Sequence, residues 1–144
     1  MTLQYFLYAS RLVQPMGYEA LRDLLAVSQR NNAAAGLTGF LHIEGRVVLQ
    51  YLEGPPTRLA ETVEQIRHDP RHKEFAVLAE GALERRFFDG WKMALVESTT
   101  LSLFDLLGAK CHAVPDIRKL NPLDLISLLS ANFSYLRNQP SVAH

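Results

Sequence analysis

Leu3 to Ala9 is a short, continuous run of apolar and aromatic residues, with Gln4, Phe6 and Tyr8 on one side of a strand and Leu3, Tyr5 and Leu7 on the other. Beyond Gly17, Leu21, Leu24, Leu25 and Ser28 recur at helical spacing, which predicts a helix over Tyr18 to Asn31. Its end falls near "NNAAAG", where Asn and Gly are usual terminators. Gly39 to Ile43 and Arg46 to Glu53 flank the turn Glu44, Gly45 and predict an antiparallel hairpin. Thr57 follows Pro55 and Pro56 as an N-cap, and Leu59, Val63 and Ile66 mark the buried side of a second helix. Pro70 disfavours helical geometry at Asp69 and stops it. Phe75 to Glu80 and Trp91 to Val96 are further strands, separated by the polar loop "GALERRFFDG".

The order β, α, β, β, α, β, β predicts an α+β fold, a ferredoxin-like sandwich with a five-stranded mixed sheet and two helices on one face. In that arrangement the first and third strands are expected as parallel central neighbours, so that Tyr8 and Gln50 could meet beneath the helices. The expected division is a domain over residues 1–97 and a C-terminal helical extension over 98–144. In the extension, Leu103, Leu106 and Leu107 suggest a short helix stopped by Gly108. Asn121 and Pro122 then form an N-cap and first-position pair before an apolar stripe of Leu125, Ile126, Leu129, Phe133 and Leu136. That stripe either closes the open face of the sheet or forms an interface with a partner or a second copy.

One residue interrupts the apolar pattern. In "VVLQYLEG" a strand face made of Val48, Gln50 and Leu52 carries an amide, which costs roughly 1 to 3 kcal/mol unless its donors and acceptor are matched. A loop carbonyl, a water, exposure at an edge or a ligand would each satisfy it.

Composition narrows the class of protein. A chain of 144 residues, 48% hydrophobic, is the size of one domain and can bury a core. Fifteen basic residues balance fifteen acidic ones, so bulk charge selects neither nucleic acid nor an anionic membrane. The single Cys111 excludes an internal disulfide, the N-terminus has no signal-peptide pattern, and no apolar run reaches the roughly 20 residues that span a bilayer. A cytoplasmic location is expected.

The candidate chemistry is sparse. His68 and His72 are separated by Pro70, so no helix presents both to a metal, and Cys111 beside His112 has no nucleophile-and-base spacing. No phosphate-cradling glycine loop and no nucleophile elbow are present. Arg71, His72 and Lys73 in "DPRHKE" either cap a helix end with positive charge or serve a ligand. Tyr8, Asn31, Asn32, Gln50, Arg71, His72, Trp91 and Met93 would together surround one sheet face and the cleft between two helices.

The stretches "LYAS", "SQRNNAAAGLTGFL", "LQYLEG", "DPRHKE" and "RRFFDGWKM" resemble, in order and spacing, the signatures of the BLUF family, the sensors of blue light using FAD. The resemblance covers residues 3 to about 97. It implies FAD held non-covalently between the two helices, with Asn32 on the flavin carbonyl edge, Asn31 supporting the polar side or tail, and Leu24 and Ile66 clamping the ring. It further implies that Arg71 and His72, with Asp69 nearby, contact the flavin and its tail. Tyr8 and Gln50 match the photoactive pair, while Met93 and Trp91 report the switch. The chain departs from the family at Val48, where an aromatic is usual, and at Leu24, where isoleucine is commoner.

What the resemblance implies is a short, stand-alone photoreceptor rather than an enzyme, since few residues follow residue 97. A protein effector in trans and a homo-oligomer are expected, with no direct nucleic-acid or membrane partner. Two other readings remain open on the residues: a light-inert flavin-binding scaffold, and a small acylphosphatase-like hydrolase using Arg71 and Asn32 on an anion.

Overall fold

The computed structural model describes residues 2–87, 94–96 and 121. Its elements are β1 (Leu3–Leu12), α1 (Tyr18–Ala35), β2 (Thr38–Glu44), β3 (Val47–Gly54), α2 (Pro56–Arg67), β4 (His72–Leu83) and the three-residue β5 (Ala94–Val96). The strands lie in the order β4-β1-β3-β2-β5. β1 is antiparallel to both β3 and β4, β2 is antiparallel to β3, and β5 alone runs parallel to its neighbour β2. The architecture is the expected ferredoxin-like α+β sandwich, with one correction: β1 and β3 are antiparallel. The crossover through α1 makes β2 the strand parallel to β1, and the hairpin then reverses direction, so the strand returning between them runs against both.

The boundaries differ from the expected ones for local reasons. Helix α1 continues through Asn31 and Asn32 to Ala35 because alanines favour helix, and it stops at Gly36, which supplies the left-handed φ of 72°. The Leu37 N–H bonds the Asn32 carbonyl at 2.8 Å and the Gly36 N–H bonds that of Ala33 at 3.3 Å, a Schellman closure. Asn31 and Asn32 are therefore helical residues and not terminators. At the second helix the N-cap is Pro55 and not Thr57, which lies inside α2; Pro56 enters the first turn with its φ already set. The hairpin turn falls on Gly45 and Arg46, leaving Glu44 in β2. β4 takes Gly81 to Leu83 out of the expected loop by pairing them with Tyr5, Gln4 and Leu3. Trp91, Met93 and the residues expected to form C-terminal helices lie outside the described residues.

Both helices pack on one sheet face. Leu21 of α1 and Leu59 and Val63 of α2 bury against Phe6, Leu12, Ile43 and Leu52. On the opposite face Leu7, Phe40, Leu49 and Tyr51 are fully buried as well, which is why β3 from Val47 to Leu52 is apolar on both sides apart from the amide of Gln50. That far face also holds a polar clasp. The Glu53 carboxylate accepts hydrogen bonds from Thr38 Oγ1 (2.9 Å), Tyr51 OH (3.2 Å) and the Phe87 N–H (2.8 Å). Arg86 donates to Thr38 Oγ1 at 3.0 Å and to the Gly36 carbonyl at 2.7 Å.

Candidate functional site

The two central strands bring Tyr8 and Gln50 together. They are direct partners in the β1–β3 register, both buried on the helix-covered face, and the Tyr8 hydroxyl donates a hydrogen bond to Gln50 Oε1. The buried amide thus finds a polar partner in Tyr8. Burial, reinforced by the charge of Asp69, raises the Tyr8 phenol well above its ordinary value, so it remains a protonated donor at neutral pH.

Above this pair lies a cleft. Helix α1 buries only Leu21 and Asn32 of its eighteen residues, leaving Leu24 and Ser28 half-exposed over the sheet. Two adjoining pockets share Leu24 and Ser28 of α1, Ile66 of α2, Gln50 beneath, and Asp69 and Arg71 beyond α2. Tyr8, Val48 and His72 line one of them; Asn31 and Asn32 line the other. The structure therefore gathers Tyr8, Leu24, Asn31, Asn32, Gln50, Ile66, Asp69, Arg71 and His72 around one space. Trp91 and Met93 fall outside the described residues.

The segment after α2 is organised by charge. Arg71 Nε lies 3.0 Å from each Asp69 carboxylate oxygen, and its backbone N–H donates to Asp69 Oδ1 at 2.9 Å. The hydrogen bond from Arg71 holds the Asp69 carboxyl below its usual range, and Asp69 in turn raises the guanidinium. His72 lines the cleft as expected and is also tied into the chain. Its Nε2 is 2.6 Å from the Ile66 carbonyl and its Nδ1 is 2.8 Å from Ser10 Oγ. A carbonyl only accepts, so Nε2 carries a hydrogen and donates it to Ile66, and in the neutral ring Nδ1 then accepts from Ser10. Both ring nitrogens are engaged within the chain, and His72 ties the end of α2 to β1.

Sequence reasoning missed Phe75. Its ring stacks on Tyr8 with centroids 4.5 Å apart and an interplanar angle of 20°. Strict alternation places Phe75 and His72 on opposite faces. The register against β1 shifts between Ala9 and Arg11, and Glu74 takes a φ of 55°, so a bulge inserts one residue and turns both side chains toward Tyr8. A positive φ at glutamate leaves no mark in the residue pattern.

Comparison with known proteins agrees with this geometry. The BLUF family, described as sensors of blue-light using FAD, matches residues 3–94. The chain is 27% identical over 136 residues to the photoactivated adenylate cyclase subunit beta of Euglena gracilis, covering 90% of this chain and 16% of that protein. The chain thus spans about a sixth of the curated relatives it matches. Among solved structures, BlrB, a BLUF protein in its dark state, superposes with a TM-score of 0.72 at 26% identity, covering 93% of this chain and 97% of that one. The BlsA ground state has a TM-score of 0.77 at 24% identity, covering 92% and 88%, a likeness of fold. With a family match over most of its length and the tyrosine–glutamine pair seated under an interhelical cleft, this chain belongs to the BLUF family, the sensors of blue-light using FAD.

Proposed function

We propose that this protein is a blue-light photoreceptor that binds FAD non-covalently in the cleft between α1 and α2 and signals to a protein partner. The single observation that carries the reading is the Tyr8–Gln50 hydrogen bond at the floor of that cleft. The lining suits an isoalloxazine ring, which has two apolar faces and one polar edge. Leu24 and Ile66 offer aliphatic contact from the two helices, and Asn32, Gln50 and Arg71 offer amide and guanidinium groups for the carbonyl and imide edge. Asn31, exposed on α1 at the rim of the same space, is available to the tail. Arg71 is poised by Asp69, whereas His72 acts through Ile66 and Ser10, shaping the wall rather than bonding the ligand.

When bound, the flavin supplies light absorption and an oxidising excited state. Tyr8 is the donor: a phenol gives up an electron and has a proton to follow it. That proton has a path along the hydrogen bond to Gln50 Oε1. Gln50 carries an acceptor and two donors on one rotatable group, so turning it over, or moving one proton within it, changes what it offers the ligand. A rearranged amide would shift the absorption of a bound flavin to the red until it returned in the dark. Met93 and Trp91 transmit the change outward. The protein acts as a sensor and not as a metabolic enzyme.

The test is a visible spectrum of the purified protein before and after blue light, with the released flavin identified. A yellow protein whose absorption shifts reversibly to the red, and which releases FAD, is expected. A colourless protein, or a yellow one inert to light, overturns the proposal.

A further inference from the structure

Resting on the photoreceptor reading above, we infer that Phe75 and Arg67 form an opposed pair that tunes how readily Tyr8 gives up its electron. Phe75 favours the loss and Arg67 resists it. With a flavin bound, the step would be the loss of one electron from the Tyr8 ring to the excited ligand, leaving the ring cationic until the phenol proton follows along the hydrogen bond to Gln50 Oε1. Phe75 and Arg67 neither gain nor lose electrons. They set the electrostatic surroundings of the ring that does.

The geometry is specific. The Phe75 ring lies nearly parallel to Tyr8 at 4.5 Å, within stacking distance, and Phe6 stacks on Phe75 at 6.2 Å and 26°. An aromatic face is electron-rich, so a Tyr8 ring that has become electron-deficient is attracted to it as a cation would be. Over the same Phe75 ring stands the guanidinium of Arg67, its carbon 4.6 Å from the centroid. Arg67 draws on the same π-electrons and adds a fixed positive charge beside the stack, which disfavours a second positive charge on Tyr8. Its side chain is 43% exposed and its Nε lies 3.8 Å from Glu64, so solvent and the carboxylate weaken its influence relative to that of Phe75. The bulge at Glu74, with its φ of 55°, is what brings Phe75 to this face.

The experiment measures the fluorescence decay of the flavin in the dark-adapted, FAD-loaded full chain, because electron loss from Tyr8 quenches it. Tyr8→Phe is expected to lengthen the decay most. Phe75→Leu is expected to lengthen it about three- to tenfold, the rate equivalent of one aromatic pair. Phe75→Tyr, which keeps a ring, restores a decay near that of the wild type, and Arg67→Gln shortens it. The Tyr8 ring-proton shifts of the same loaded chain should move in Phe75→Leu, which loses the neighbouring ring current, and stay in place in Arg67→Gln. If Tyr8→Phe leaves the decay unchanged, the donor assignment itself fails. If Tyr8→Phe lengthens it while Phe75→Leu matches the wild type, or while Phe75→Leu and Arg67→Gln shift it in the same direction, the tuning pair is refuted. Should Phe75→Leu not fold, the surface change Arg67→Gln decides alone, and a decay that is unchanged or longer refutes the inference.

Discussion

Tyr8 and Gln50 face one another across the β1–β3 ladder, and the phenol donates its hydrogen bond to the amide oxygen. Gln50→Leu keeps the size of the side chain and removes every polar atom. We expect it to bind flavin within about tenfold of the wild type, since one neutral hydrogen bond contributes about 1 kcal/mol net. The red shift after illumination should be lost. A light spectrum of that variant with a wild-type shift would remove Gln50 from the switch.

The Asp69–Arg71 pair makes the chain sensitive to acid. The folded pKa of Asp69 is depressed from 3.8, chiefly by the hydrogen bond from Arg71. Its stabilising contribution is therefore fully present above about pH 4 and lost as pH falls through the folded value. The pair is partly exposed, so the contribution is below about 1 kcal/mol. Denaturant midpoints for wild type and Asp69→Asn should differ at pH 7 and converge below pH 4; a gap that widens in acid contradicts this sign.

Val48 is buried beneath the cleft on the same strand face as Gln50, two residues away. Val48→Phe puts a ring beside the amide and restricts its turning. Slower dark recovery is expected, with flavin affinity changed by less than about threefold, an effect under 1 kcal/mol. Single-exponential recovery kinetics in the two proteins provide the comparison, and equal or faster recovery in the variant counts against the idea.

Gly39 is required by close approach. A Cβ there would stand 2.2 Å from the Tyr51 carbonyl oxygen and 3.2 Å from Leu52 Cα, both backbone atoms of β3 that cannot swing aside. Gly39→Ala should cost about 3 kcal/mol and lower the melting temperature by about 10 °C for a chain of this size. Thermal unfolding with an unchanged midpoint would show that the hairpin yields more easily than the geometry implies.

Much of this was legible from the chain. The period-two alternation placed Phe6 and Tyr8 on one face of β1 and Val48, Gln50 and Leu52 on one face of β3, and helical spacing placed Leu21 and Leu59 on the sides that pack on them. What escaped was set by backbone conformation and long-range pairing. The left-handed turn at Glu74 has no side-chain signature, so the residue pattern places Phe75 in its strand but not at the site. The double engagement of His72 depends on Ser10, sixty-two positions away. The direction of β3 relative to β1 follows from topology rather than from any residue, and α1 ends at Gly36, which takes the closing φ, while the alanines after Asn32 carry the helix past Asn31.

The far-face clasp has a mechanical corollary. Through one guanidinium, Arg86 holds the carbonyl of Gly36, just beyond the last turn of the helix that carries Asn32, and the hydroxyl of Thr38, which in turn holds Glu53 at the end of the strand that carries Gln50. The peptide of Phe87 hangs from the same carboxylate. The helix wall of the cleft, the strand under it and the polypeptide leaving β4 are thus geared to a common axle, so none of the three turns without loading the other two.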